Sequence, residues 1–151
     1  MIRRAVASDA PQLLSLMQGL ARFEGYYERF AVTVEALLER GFSPDRPPEF
    51  TAWVAELDGA PVGYAVVYVI PYTFDLRPTV VLKELFVEEH ARGRNFGHGL
   101  MNAVLEHARM LNARLIRWQV LPDNAAAKNF YRRHGGAIDA DWENWYIDLD
   151  A

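Results

Sequence analysis

The sequence predicts a mixed α/β domain with a mainly antiparallel central sheet flanked by helices. Apolar residues recur at helical spacing through roughly the first forty positions, then alternate with a period of two from Phe50 to Val87. Beyond that point helical and extended patterns take turns. The resulting order is strand, two helices, three strands, helix, strand, helix and closing strands. At 151 residues the chain fits one domain, taken as 1–151, and is long enough to bury roughly two-thirds of its unfolded surface.

Each element has its own signal. Ile2 to Ala5 reads as a short opening strand. Ser8 or Asp9 then stands where a helix cap belongs, with Pro11 in the first turn. Leu13, Leu14, Leu16, Met17, Leu20 and Phe23 form the apolar stripe of a helix over about 9–23. Thr33, followed by Val34, Leu37 and Leu38, opens a second helix that stops near Gly41. The proline-rich SPDRPPE (43–49) is loop, because proline cannot join a ladder. FTAWVAEL (50–57) and VGYAVVYVI (62–70) read as a hairpin about the turn DGAP (58–61), and TVVLKELFV (79–87) as the next strand. After a glycine loop, Leu100, Met101, Val104, Leu105, Ala108 and Leu111 share one helical face. RLIRWQVL (114–121) is extended, Asn124 opens a helix to about His134, and Gly135–Gly136 end it. One or two strands are expected in 137–149, where Trp142, Trp145 and Tyr146 are available to pack.

Composition narrows the function. Hydrophobic residues make up 51% and charged residues 24%, as in ordinary globular proteins. No apolar run reaches the ~20 residues of a membrane helix. The N-terminus lacks the apolar core of a signal peptide, so a cytoplasmic protein is expected. The absence of cysteine excludes disulfides and thiolate chemistry. The four histidines show no HExxH-type pairing, so no metal is expected. A net charge of −4 argues against a general nucleic-acid binder.

The stretch HARGRNFGHGLM (90–101) carries the chemistry. A glycine loop entering a helix suits an anion, because the first turn offers unpaired N–H groups and partial positive charge. Gly97 and Gly99 give access to the backbone, and Arg92 and Arg94 add full charges. A P-loop would need Gly-Lys-Ser/Thr, which is missing. A dinucleotide fingerprint would need a third glycine where Asn102 stands, and an acidic residue about twenty positions on, where WQV (118–120) stands. A glycine-rich turn with solvated arginines is the plain alternative.

The spacing Arg94-x-x-Gly97-x-Gly99, after a strand ending ELFV (84–87), resembles the coenzyme A loop Gln/Arg-x-x-Gly-x-Gly/Ala of the GNAT superfamily of N-acetyltransferases. DNAAAKNFYRRHGG (123–136) resembles that family's asparagine-to-tyrosine helix, and the element order is similar along nearly the whole chain. LARFEGYYE (20–28), LLERGF (37–42) and AAKNFYRRHGGA (126–137) look most similar to the spermidine/spermine and thialysine acetyltransferase branch. The resemblance implies the GNAT fold, acetyl-CoA as co-substrate and a homodimer with its contact at the C-terminal strands. It implies that the loop Arg92, Gly93, Arg94, Asn95, Phe96, Gly97, His98 and Gly99 cradles the pyrophosphate. It further implies that amides of Leu85, Phe86 or Val87 serve the acetyl oxygen and pantetheine arm, and that Asn124 and Lys128 lie by the coenzyme. Two departures stand out. Lys83 replaces the branch's usual acidic residue, and the connection from Val87 is normal if counted to Arg92 but two residues long if counted to Arg94. Either arginine remains eligible.

Acetyl transfer to an amine needs a base, an oxyanion donor and a proton source. The amine, with a pKa near ~10.4 if lysine-like, must first lose a proton. The developing oxyanion needs a donor worth ~3–4 kcal/mol, and the leaving thiolate is helped by an acid. The resemblance assigns the acid to Tyr131, whose phenol of pKa ~10 stays protonated at neutral pH. Glu84 is the nearest carboxylate; alternation places Leu82, Glu84 and Phe86 on one face, with Lys83, Leu85 and Val87 on the other. Apolar neighbours would raise its pKa and suit it to act through a water, whereas a salt bridge is the plain alternative. Glu24, Glu28 and Glu56 are second-line bases, and bulk water is the last resort. Glu24, Tyr26, Tyr27 and Glu28, with Phe23 and Phe30, form an aromatic–acidic group suited to a cationic small-molecule amine, or else plain core and solvated face. The competing functions are a non-catalytic acyl-CoA-binding or sensing module, and an interaction subunit built on WENWYIDL (142–149).

Overall fold

The computed structural model describes residues 1–150. Contacts divide the chain into two units, Met1–Gln119 and the residues from Val120 onward. The first contains β1 (Ile2–Arg4), α1 (Ala10–Glu24), α2 (Val34–Gly41), β2 (Thr51–Leu57), β3 (Ala60–Ile70), β4 (Thr79–Val87), α3 (Phe96–Met110) and β5 (Leu115–Arg117). The five strands lie in sequence order; every pairing is antiparallel except β4 with β5, which is parallel. Among the described residues, no helix is long and apolar enough to cross a membrane.

The core follows from the stripes. Leu13, Leu16, Met17 and Leu20 of α1 are buried against Ala52, Val54, Tyr64 and Val66 of β2 and β3. Pro11 stands in the first turn of α1, and Gly25 ends the helix at φ 84°, a left-handed angle that costs glycine nothing. Thr33 caps α2 by accepting the Ala36 N–H at 3.1 Å. Asp9 does a different job from the cap expected of it. It accepts the Val6 N–H at 2.7 Å and both terminal nitrogens of Arg3, at 2.8 and 2.9 Å. The guanidinium holds the Asp9 carboxyl below its usual range. Stability from this pair is therefore present above the unfolded pKa and is lost as pH falls.

On the other face α3 buries Leu100, Met101, Val104 and Ala108. A Cβ added to Gly99 would lie 2.7 Å from Ile2 Cγ1, so this glycine lets α3 approach β1. Gly99→Val should therefore lower stability by about 1–3 kcal/mol in urea unfolding. An unchanged midpoint would mean that β1 yields freely.

Several boundaries differ from expectation. The hairpin turn is only Asp58–Gly59, at φ 53° and 80°, and Ala60 and Pro61 already belong to β3. Pro61 is tolerated because a register shift falls between Ala55 and Glu56, beside its own partner. The strand expected over 114–121 shrinks to the three residues of β5. In β4, Glu84 faces Val66 while Leu82 faces Val67, which leaves Lys83 as an extra residue without a partner on β3. This bulge breaks simple alternation: Glu84 and Phe86 share the face of Tyr64 and Val66, and Leu82 turns to the opposite one.

The second unit holds α4 (Ala125–Arg133). Asn124 caps it by accepting the Ala127 N–H at 3.1 Å, and Gly135 at φ 87° closes it. The strands expected in 137–149 do not form. Trp142, Trp145 and Tyr146 are 76%, 88% and 90% exposed rather than packed. Aspartate side chains take the backbone here instead: Asp139 accepts the Asp141 N–H at 3.1 Å and Asp148 that of Asp150 at 2.9 Å. Such local bonds compete with a ladder.

Candidate active site

β4 supplies an open edge. Its pairing with β5 covers only Thr79–Val81, although β4 runs on to Val87. The Glu88 N–H donates to the Val62 carbonyl at 2.8 Å, on the β3 side. By alternation the Phe86 amide also points to β3, whereas the amides of Leu85 and Val87 point to the open side. Of the three amides expected to serve the coenzyme, two therefore face outward.

The loop after β4 is a chain of alternating backbone conformations. Gly93 has φ 80° and Asn95 φ 65°, and α3 begins at Phe96. Successive N–H groups in such a path form an anion-binding concavity, and the first helical amides, including those of Phe96 and Gly97, lack intrahelical acceptors. Gly97 lies in that first turn, but Gly99 lies deeper and is explained by Ile2. Counted from Arg92, the loop motif has Asn95 at its first glycine position, and asparagine tolerates the left-handed angle found there. Counted from Arg94, both glycines fall inside the helix.

The two arginines behave differently. Arg92 Nε donates to the Val87 carbonyl at 2.9 Å, on the open side of β4. Its guanidinium lies 5.5 Å from the Phe23 ring centre and 5.8 Å from that of Phe86. Arg94 is exposed and makes no hydrogen bond or ion pair among the described residues. His98 hydrogen-bonds with Asn102 one turn along the helix, at 3.0 Å.

A carboxylate–phenol cluster lies on the same face of β4 as Phe86. Glu84 is half-buried, and the Tyr64 hydroxyl donates to its Oε1 at 3.2 Å. Burial raises the Glu84 pKa; Lys83 and the Tyr64 hydrogen bond pull it down, and Glu24 pushes it up. Tyr26 is raised by burial and by the charges of Glu84 and Glu24. Tyr64 is fully buried, and its phenol is pushed well above its ordinary value by burial and by Glu84. Gly19 admits Phe86 against α1, where a Cβ would lie 3.1 Å from the ring.

Glu24 and Tyr26 are thus coupled electrostatically to Glu84, and the structure adds Tyr64, which in the sequence reads only as part of a strand. The available signal was a tyrosine inside an otherwise apolar central strand, since a buried phenol needs a partner. The other acceptor candidates stand apart. Tyr27 lies under the Arg22 guanidinium at 4.1 Å, and Glu28 sits in an exposed turn. Glu56 is unsuited as a base, because its Oε1 is held by Arg3 Nε at 2.6 Å.

In the second unit, Tyr131 is half-buried on α4 with its ring 5.3 Å from that of Phe130. The Asn124 side chain is engaged as the helix cap, and Lys128 Nζ donates to the Pro122 carbonyl of the preceding loop.

The fold is that of an acetyltransferase. An aminoglycoside acetyltransferase from an uncultured soil metagenomic sample, solved with sisomicin, matches at a TM-score of 0.81 and 18% identity over 99% of this chain and 95% of that one. The family model described as acetyltransferase (GNAT) matches residues 14–136, and the chain belongs to that family. Thialysine N-epsilon-acetyltransferase of Mus musculus is 31% identical, over 95% of this chain and 88% of that protein. Spermidine/spermine N(1)-acetyltransferase-like protein 1 of Homo sapiens is 25% identical, over 97% of this chain and 22% of that protein. The protein is an N-acetyltransferase that moves acetyl groups to amines, and acetyl-CoA is the family's co-substrate.

Proposed function

We propose that the acceptor is a cationic primary amine on a small molecule, of the thialysine or polyamine kind. The observation that carries this is the Glu84, Glu24 and Tyr26 group beside the open edge of β4. Half-buried Glu84 and Tyr26, with the exposed Glu24 coupled to both, attract a protonated amine, and the Glu84 carboxylate then takes its proton. Lys83, on the bulge next to Glu84, disfavours a long polycation and favours an acceptor with one charge near the reacting nitrogen.

Acetyl-CoA supplies the activated acetyl thioester. The loop amides from Gly93 to Gly97 suit its pyrophosphate, with Arg92 the arginine of the motif. Binding would draw Arg92 from the Val87 carbonyl, or use the nitrogens that bond leaves free. The outward N–H of Leu85 or Val87 suits the charge that develops on the acetyl oxygen. Glu84, directly or through a water, takes the ammonium proton, and Tyr131 gives a proton to the departing thiolate. The whole chain acts as one acetyltransferase domain, in the cytoplasm, as a homodimer.

A panel of thialysine, lysine, spermidine, spermine and simple diamines, followed by release of the coenzyme thiol, tests the acceptor class. Turnover of none of them by protein that binds acetyl-CoA would favour a sensing module. The loop has its own test. Gly97→Asp puts a negative side chain against the pyrophosphate and should weaken acetyl-CoA binding by about 100-fold or more, since a buried like charge costs several kcal/mol. Unchanged calorimetric affinity would sink the loop assignment. Arg92→Ala should cost more affinity than Arg94→Ala.

A further inference from the structure

We propose that Tyr64 is a positioning residue for acetyl transfer, holding one oxygen of Glu84 so that the other faces the acceptor amine. The inference rests on the reading of Glu84 as the base. Tyr64 lies in the middle of β3 and is 0% exposed. A phenylalanine would fill the same space without needing a polar partner, so the hydroxyl is a burial cost that must be offset. Its hydrogen bond is to Glu84 Oε1, at 3.2 Å.

The strand geometry makes this contact. Register sets Tyr64 opposite Phe86 and Val66 opposite Glu84, so Tyr64 and Glu84 are diagonal neighbours on one face. A diagonal separation of about 7–8 Å between backbones is within reach of a phenol. The bulge at Lys83 matters too, because it carries Glu84 onto this face while Leu82 turns to the other. The Tyr64 ring is packed against Phe86, with centroids 6.4 Å apart, and Phe86 in turn carries Arg92. The hydroxyl is therefore fixed by the sheet rather than by a mobile side chain.

Oε1 is occupied, and Oε2 has no hydrogen bond within the described residues yet is not sealed from solvent. Oε2 is thus the atom that can meet an amine or a bridging water. In the step itself an N–H bond of the ammonium breaks, its electron pair stays on nitrogen, and an O–H bond forms at Oε2. Tyr64 keeps its own proton throughout, consistent with a phenol held far above its ordinary pKa. The charged groups facing Glu84 are Lys83 on its own strand, Glu24 of α1, and the phenols of Tyr26 and Tyr64. Of these, Tyr64 alone touches the carboxylate through a hydrogen bond.

Tyr64→Phe keeps the ring and removes the hydroxyl. The expected result is a fall in kcat of about 10- to 100-fold, the worth of one hydrogen bond to a charged group, with acetyl-CoA affinity unchanged. The acid limb of the pH–rate profile should move to higher pH, because a bond that favoured the carboxylate is gone. A merely packed tyrosine would not move that limb. Glu84→Gln is measured beside it. If Glu84→Gln is impaired while Tyr64→Phe has the wild-type kcat and acid limb, the positioning role is wrong and the base assignment stands. If Glu84→Gln has a wild-type rate and profile, the base assignment falls and takes the Tyr64 role with it. Should Tyr64→Phe fail to fold, the wild-type protein still decides. A slowly exchanging Tyr64 hydroxyl proton, seen by NMR and shifting along the acid limb of the rate, is expected; its absence would overturn the proposal.

Discussion

Glu84→Gln should reduce kcat by ~10²–10⁴-fold, the range for a lost general base, while leaving acetyl-CoA binding near that of the wild type. Glutamine preserves the shape and can still accept the Tyr64 hydrogen bond, but it cannot take a proton. The wild-type rate should rise with pH through the elevated pKa of Glu84, and that limb should vanish in the variant. Stability runs the other way. A carboxyl whose folded pKa lies above its unfolded value holds its proton more tightly in the native state. Its contribution is fully present below the unfolded pKa and is lost as pH rises through the folded one. Removing the ionisable group removes that loss, so Glu84→Gln should melt at or above the wild-type temperature at neutral pH. Loss of rate without loss of stability separates a chemical role from a structural one. A variant that lost both together would mark Glu84 as part of the packing, and one that kept its rate would leave proton removal to water.

The sequence made the fold legible wherever the signal was local. Leu13, Leu16, Met17 and Leu20 mark α1 by spacing alone, and Asp58–Gly59 marks the hairpin, because the burial face and the turn angles are set by neighbouring residues. The Lys83 bulge was not legible. An extra residue on β4 is defined against its partner strand, and nothing in LKELFV shows that Leu82 and Glu84 part company. The Tyr64–Glu84 contact was hidden for the same reason, since it joins positions twenty residues apart through a register. The loop was legible as a helix mouth, but its register was not, because Arg92 and Arg94 satisfy the same spacing rule to different degrees. The left-handed Asn95 and the Ile2 contact of Gly99 support the count from Arg92 proposed above. At the C-terminus the sequence misled. Trp142, Trp145, Tyr146 and Ile147 have strand propensity, yet propensity needs a partnered surface, and the interspersed aspartates bind their own backbone.

Tyr131→Phe should lower kcat by ~10²–10⁴-fold, or by less if water replaces the phenol as acid. The substitution keeps the ring that stands against Phe130 and leaves untouched the Asn124 cap and the glycine end of α4. Acetyl-CoA affinity should stay near the wild-type value if, as proposed, the deleted hydroxyl is called on as the carbon–sulfur bond breaks. A thiol leaving group of pKa about 8.5 needs little help at alkaline pH and more near neutrality. The defect should therefore be deepest at neutral pH. The phenol must be protonated to act, so the wild-type rate should fall on the alkaline side as Tyr131 ionises. The variant has no such group and should lose that alkaline limb while keeping the acid limb that belongs to Glu84. The double variant with Glu84→Gln should then show neither limb. Near-wild-type kcat with the alkaline limb intact would make Tyr131 a packed residue of α4, and the proton for the thiolate would have to come from the acceptor or from solvent.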